Sequence, residues 1–134
     1  MERRKKQYSL EIFDSLFSPY ETLAEGEKRK AYYKEATDAK GEKTVWYKVW
    51  IYLDGPDLPF VQSVTYKLHP TFPNPVRHIS CTPDNPKAAF YIWTWGVFTI
   101  EAEIEDLKGR TMRTSHFLTY DSLLRNESIE WVKV

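Results

Sequence analysis

From Phe98 the chain alternates strictly, with Phe98, Ile100, Ala102 and Ile104 apolar and Thr99, Glu101, Glu103 and Glu105 polar. A period of two predicts a strand with one buried and one solvated face. A second run is patterned differently: Val45, Tyr47, Val49, Ile51 and Leu53 form an apolar face, while Trp46, Trp50 and Tyr52 make the opposite face aromatic. Both sides of that strand, residues 44–53, therefore call for cover. Further strands are predicted at 31–37, 61–68 and 111–120, punctuated by Asp38-Ala39-Lys40-Gly41, Asp54-Gly55-Pro56-Asp57 and Lys108-Gly109, all turn sequences. Seven or eight short antiparallel strands over about a hundred residues predict an all-β, immunoglobulin-like β-sandwich.

The first forty residues differ in character. Arg3-Arg4-Lys5-Lys6 is followed by Leu10, Phe13, Leu16 and Phe17 at helical spacing, then by Glu25-Gly26-Glu27-Lys28-Arg29-Lys30. This predicts a short helix and a solvated linker, although Tyr8, Leu10 and Ile12 also alternate and leave an extended segment open. The expected division is a charged N-terminal segment at 1–30 and a sandwich domain at 31–134. Leu10, Phe13 and Phe17 are expected to cover Trp46 and Trp50.

Composition narrows the function. A chain of 134 residues that is 42% hydrophobic supports one domain and one core. Nineteen basic and nineteen acidic residues cancel, so no overall field draws the protein to nucleic acid or to an anionic membrane, and neither is expected as a partner. Five Trp and nine Tyr exceed what a core of this size needs, which assigns some rings to a ligand or partner. Cys81 is the single cysteine. With no secretory signal pattern, an intracellular, cytoplasmic setting is expected. No apolar run approaches the ~18–20 residues a bilayer crossing requires.

Candidate chemistry concentrates in two segments, Leu68-His69-Pro70-Thr71-Phe72-Pro73-Asn74-Pro75 and Trp95-Gly96-Val97-Phe98. Prolines at 70, 73 and 75 remove backbone donors and forbid a central strand, so the first segment is a rigid exposed loop. Each segment joins a strand end to aromatic side chains, the ingredients of a small apolar slot. Catalysis has no comparable support: there is no Gly-x-Ser-x-Gly elbow and no phosphate-binding glycine loop, Asp54 and Asp57 suit a turn, and Glu101, Glu103 and Glu105 suit a solvated face. His69, His78, Cys81 and His116 lack metal-ligand spacing, so no metal and no other cofactor is expected. The reading is a non-catalytic binding module.

Residues 64–77, Val64-Thr65-Tyr66-Lys67-Leu68-His69-Pro70-Thr71-Phe72-Pro73-Asn74-Pro75-Val76-Arg77, resemble the signature of YEATS domains, especially the prokaryotic branch. The resemblance continues through Trp95-Gly96-Val97-Phe98-Thr99-Ile100, which is similar to the family's Gly-Trp-Gly-x-Phe segment, and through residues 50–56; it spans roughly residues 44–120. It implies an immunoglobulin-like sandwich and, by analogy with eukaryotic members that read acetyl- and crotonyl-lysine in histone tails, an acyl-lysine reader. Carried over by position, the Thr71 hydroxyl would hydrogen-bond the acyl amide, Phe72 and Trp95 would sandwich it, Phe98 would close the inner end and His69 would line the entrance. His69, Thr71 and Phe72 on one loop would then face Trp95, Gly96 and Phe98 on the other. Trp46 stands nearest to the extra aromatic loop residue of the eukaryotic readers. The chain departs from the pattern at Thr94, where Gly is usual, and at Val97.

Elementary chemistry suits that implied role, since a flat, uncharged amide takes rings on its faces and a hydroxyl on its edge, whereas an unmodified ammonium would lose hydration without meeting a carboxylate. The expected partner is an acylated protein or peptide, a small acyl ligand, or another domain of the same system. Phe72, Trp95 and Phe98 also read as core rings at strand ends, and the rival function is a protein-interaction scaffold without a small-ligand pocket, docking through its strand-edge rings and the Trp46, Trp50, Tyr52 face.

Overall fold

The computed structural model describes residues 8–134, so the basic run at 3–6 lies outside the described residues. Within them the chain forms nine strands: β1 (Glu11–Ser15), β2 (Arg29–Thr37), β3 (Lys43–Asp54), β4 (Val61–Lys67), β5 (Val76–Ser80), β6 (Phe90–Thr94), β7 (Thr99–Asp106), β8 (Thr111–Phe117) and β9 (Ile129–Lys133). Short 3₁₀ turns sit at Leu58–Phe60 and Tyr120–Leu123. One sheet runs β1-β3-β2-β9 with β6 also paired to β3, and the other runs β5-β4-β7-β8. The architecture is the expected immunoglobulin-like sandwich.

Two expectations are corrected. The pairing is not wholly antiparallel, because β9 returns parallel to β2 and adds a strand to the sheet edge. The N-terminal segment is not a helix: β1 is a strand, with Leu10 and Ile12 buried and Glu11 and Phe13 facing out. The cause is tertiary. β2 pairs only with positions 43–47 of the long β3, leaving the edge at 50–54 open, and β1 fills it from Glu11↔Asp54 to Ser15↔Trp50. Unpaired donors and acceptors on β3 outweigh a helical spacing spread over only two turns. Phe13 accordingly stacks beside Tyr52 with ring centroids 5.7 Å apart, and Leu10 and Phe17 enter the core; of the cover expected over Trp46 and Trp50, Phe17 lines one hollow together with Trp50.

The alternations read from the sequence set the core. Val49, Ile51 and Leu53 of β3 are fully buried against Val64, Tyr66, Ile100 and Ile104 of the other sheet. Burying each Val, Leu or Ile contributes roughly 1.5–3 kcal/mol. Tyr66 places its hydroxyl on the Ala88 carbonyl at 2.9 Å, satisfying a polar group that burial would otherwise penalise. Gly55, at φ +143°, permits the turn after β3, since a Cβ there would lie 2.3 Å from the Ser9 carbonyl oxygen.

Two carboxylates tie the N-terminal strand to the second sheet. Asp14, whose side chain is wholly buried, accepts hydrogen bonds from His116, from the Thr119 N–H and hydroxyl, and from the Tyr120 N–H at 2.7 Å. Asp106 accepts from the Tyr8 hydroxyl at 2.7 Å, the Arg110 Nε at 2.8 Å and two backbone N–H groups of its turn. Burial alone would raise the Asp106 carboxyl, but these donors hold it far below the usual carboxylate range. Among the described residues no helix is long and apolar enough to cross a membrane.

Candidate functional site

The proline-rich segment leaves β4 as a closed loop. Leu68 N–H donates to Pro75 O at 2.7 Å across its base, and Phe72 N–H donates to His69 O at 3.0 Å, forming a turn that carries Thr71 at its exposed corner. Asn74 takes the left-handed conformation at φ 49°, which Asn tolerates better than most residues. The Arg77 side chain reaches back from β5, with Nε on Asn74 O at 2.6 Å and Nη2 on Pro73 O at 3.0 Å. Prolines thus limit the dihedrals while an arginine occupies the carbonyls that the missing donors leave open.

His69 and Thr71 form one hydrogen-bonded unit. The Thr71 N–H, which can only donate, approaches His69 Nδ1 at 3.3 Å, and the Thr71 hydroxyl lies 2.8 Å from the same nitrogen. Nδ1 is therefore the acceptor and the hydroxyl proton points at it. That arrangement leaves the lone pairs of the Thr71 oxygen free to accept from a ligand N–H.

The second loop joins β6 to β7 and is pinned at Gly96. The Thr94 hydroxyl donates to Gly96 O at 2.9 Å and accepts the Gly96 N–H at 3.3 Å. The buried Tyr120 hydroxyl donates to the same carbonyl at 3.0 Å. Burial pushes the Tyr120 phenol up to about 12, against a smaller lowering influence of its hydrogen bond with Thr94. Thr94, where the family pattern has Gly, is itself buried, and its hydroxyl shapes the turn it enters.

Between the loops the rings of Phe72 and Phe98 meet at 5.1 Å, and His69 approaches Phe98 edge-on at 6.3 Å. His69, Thr71, Phe72 and Phe98 are thereby brought together. Phe98 is half-buried and also packs against the core, as the reading of it as a core ring at a strand end expects. Trp95 stands apart: it is 67% exposed, and among the described residues no ring packs against it. Trp46 belongs to β3, opposite Lys34 of β2, and reaches the site's end of the sheet one residue beyond the Tyr47↔Thr94 pair. Neither segment carries Asp, Glu, Lys or Arg.

The remaining histidines serve elsewhere, His78 on Thr65 and His116 on Asp14. Sequence reasoning missed Arg77 and Tyr120 as supports of the two loops. Arg77 stood two residues past the proline run, where a side chain can reach loop carbonyls, but Tyr120 joins Gly96 across 24 positions and has no local signal.

Residues 47–119 match the family described as prokaryotic YEATS domain. A curated relative, transcription initiation factor TFIID subunit 14 of Schizosaccharomyces pombe, is 41% identical over 75 residues, covering 55% of this chain and 30% of that protein. The chain therefore spans less than a third of that relative's length. Among solved structures, the Yaf9 YEATS domain recognizing an H3K122suc peptide is similar at a TM-score of 0.51 and 19% identity, over 91% of this chain and 81% of that one. The yeast AF-9 homolog protein Yaf9 is similar at a TM-score of 0.50 and 20% identity, over 84% and 67%. At such identities the structural likeness establishes the fold.

Proposed function

Because the chain belongs to the prokaryotic YEATS domain family, we propose that it is a non-catalytic reader of an acylated lysine or a similar small acyl amide, held in the slot between the 68–75 and 95–98 loops. The observation that carries this reading is the polarity of Thr71. Its hydroxyl proton is engaged by His69 Nδ1, so its oxygen is set to accept the amide N–H of a ligand. Phe72 would cover one face of the amide, the exposed Trp95 would close on the other, and Phe98 would floor the slot.

Charge sets the selectivity. An acetyl- or crotonyl-lysine brings no charge, whereas an unmodified ammonium would enter a site whose two loops offer no carboxylate. Burial of a four-carbon acyl chain at about 0.8 kcal/mol per CH₂, with one hydrogen bond, leads to dissociation constants on the order of tens to hundreds of micromolar after immobilisation is counted. The Yaf9 YEATS domain that is similar in fold recognizes an H3K122suc peptide. An acylated protein or peptide is the partner we assign to this chain.

Calorimetric titration with acetyl- and crotonyl-lysine peptides against the unmodified sequence tests the reading. Acylated peptides should bind about tenfold or more tightly than the unmodified one, and Thr71→Val should remove most of that difference. Equal affinities for modified and unmodified peptides would reject it. The scaffold alternative draws on the half-covered rings of the five-stranded sheet, and predicts binding of a folded partner that survives Thr71→Val.

A further inference from the structure

The segment from Leu16 to Lys30 precedes the family match at 47–119. It passes beside the outer face of the five-stranded sheet and borders with it a half-open cavity of about 400 Å³. The walls bring together Tyr32 and Trp50 of the sheet with Lys28, Lys30 and Lys48. None of these residues belongs to the loops at 68–75 and 95–98.

Lys48 is the centre of the arrangement. Its Nζ lies 4.2 Å from the ring centroid of Tyr91 and 5.3 Å from those of Tyr32 and Trp50. Trp93 stands opposite it on β6 in register. Rings on this scale hold an ammonium by its attraction to their faces, but they do not replace the hydrogen bonds of its lost water. Among the described residues none of Lys28, Lys30 and Lys48 has a carboxylate within ion-pair distance. Of the two acids in the cavity wall, Glu21 is already engaged by Arg29 at 3.0 Å, leaving Glu27 against three lysines.

We propose that this cavity is a second binding site, for a small planar organic anion: an aromatic ring carrying a carboxylate or phosphate. The ring would lie against Trp50 and Tyr32, and the anionic group would meet the Lys48 ammonium with Lys28 and Lys30 at the mouth. Charge-assisted hydrogen bonds from an acid supply what the rings around Lys48 cannot, and a flat ring matches the remaining wall. The volume falls within the roughly 300–1,000 Å³ typical of small-molecule sites. A long strand of nucleic acid fits less well, because the segment at 16–30 walls off one side of the face.

The test uses the full chain, with adenosine 5′-monophosphate and indole-3-acetate as probes, and adenosine, inorganic phosphate and a ten-nucleotide thymidine oligomer as controls. Both ring-bearing anions should shift the Trp50 indole N–H resonance and bind about tenfold more tightly than adenosine or phosphate. Lys48→Gln should weaken both by about fivefold or more while leaving acyl-peptide binding and the Trp95 resonance unchanged. The double variant Lys28→Gln/Lys30→Gln, at exposed positions, provides a second handle should Lys48→Gln disturb folding, and is expected to weaken binding about threefold. The proposal fails if neutral adenosine binds as well as the monophosphate, if folded variants bind normally, or if the oligomer alone binds. Loss of acyl-peptide binding in Thr71→Val with the Trp50 response intact would show the two sites to be independent.

Discussion

Two clusters of rings lie on this sandwich, and they differ in the charge placed among them. At the loop end Phe72 packs on Phe98 with the exposed Trp95 on the neighbouring loop, and neither segment carries a lysine, arginine or carboxylate. On the outer face of the five-stranded sheet the rings are threaded with ammonium groups: Lys48 sits over Tyr91, and Lys34 lies 4.3 Å from the Trp93 ring. The same aromatic chemistry thus stands without charged residues in its own two segments in one place and among ammonium groups in the other. On the two proposals, the side chain seated among the rings, more than the rings themselves, sets the guest: an uncharged amide for the first and an anion for the second.

The strongest way to break the comparison is to loosen the frame beneath the slot. Asp14→Ala removes the buried acceptor of His116, Thr119 and Tyr120, and Tyr120 in turn holds Gly96. A loss of about 3–5 kcal/mol in urea unfolding is expected, as for breaking a buried charged network. Next come the paired tryptophans. Trp95→Ala should reduce acyl-peptide affinity by about tenfold with stability held within roughly 0.5 kcal/mol, since the ring is solvent-facing. Trp50→Ala should do the opposite, lowering stability by about 2 kcal/mol through its lost packing on Tyr91 while peptide affinity stays within about twofold.

A smaller effect separates the slot's support from its walls. Tyr120→Phe should cost about 1 kcal/mol and weaken peptide binding a few-fold, because the Gly96 carbonyl loses one donor. It also changes the alkaline limb. The folded Tyr120 phenol lies at about 12, above its unfolded value near 10, so its contribution is fully present below pH ~10 and is lost as pH rises toward 12. Thermal melts across that interval should fall less steeply in Tyr120→Phe. Asp106 has the opposite sign: its carboxyl is depressed on folding, so its contribution is present above pH ~4 and fades on acidification. The smallest effect expected is Lys48→Gln on acyl-peptide affinity, which should not move beyond calorimetric error.

The sandwich was legible wherever burial wrote a period of two, as in β3 and β7. It was less legible where tertiary pairing decided the outcome. β1 reads as a short helix, with an extended segment as the alternative, until the unpaired half of β3 is known, and β9 has too few positions to announce itself. At the candidate site, Thr71, Phe72 and Phe98 could be proposed through the resemblance to YEATS domains, and the structure places Phe72 beside Phe98. The direction of the Thr71 hydroxyl could not be read in this way, because it depends on which nitrogen of His69 faces it. The lysine-threaded face was visible only as an aromatic surplus; the seating of Lys48 requires strands β2, β3 and β6 to be placed side by side.

The most direct measurement is a two-dimensional NMR titration of the full chain with a crotonyl-lysine peptide, following the Trp95 indole N–H beside the Trp50 indole. An acyl-amide slot predicts a saturable shift of the Trp95 resonance and of the Thr71 and Gly96 amides, with Trp50 still and the unmodified peptide silent. An unmoved Trp95 resonance at saturating peptide, or an equal response to unmodified lysine, would contradict it.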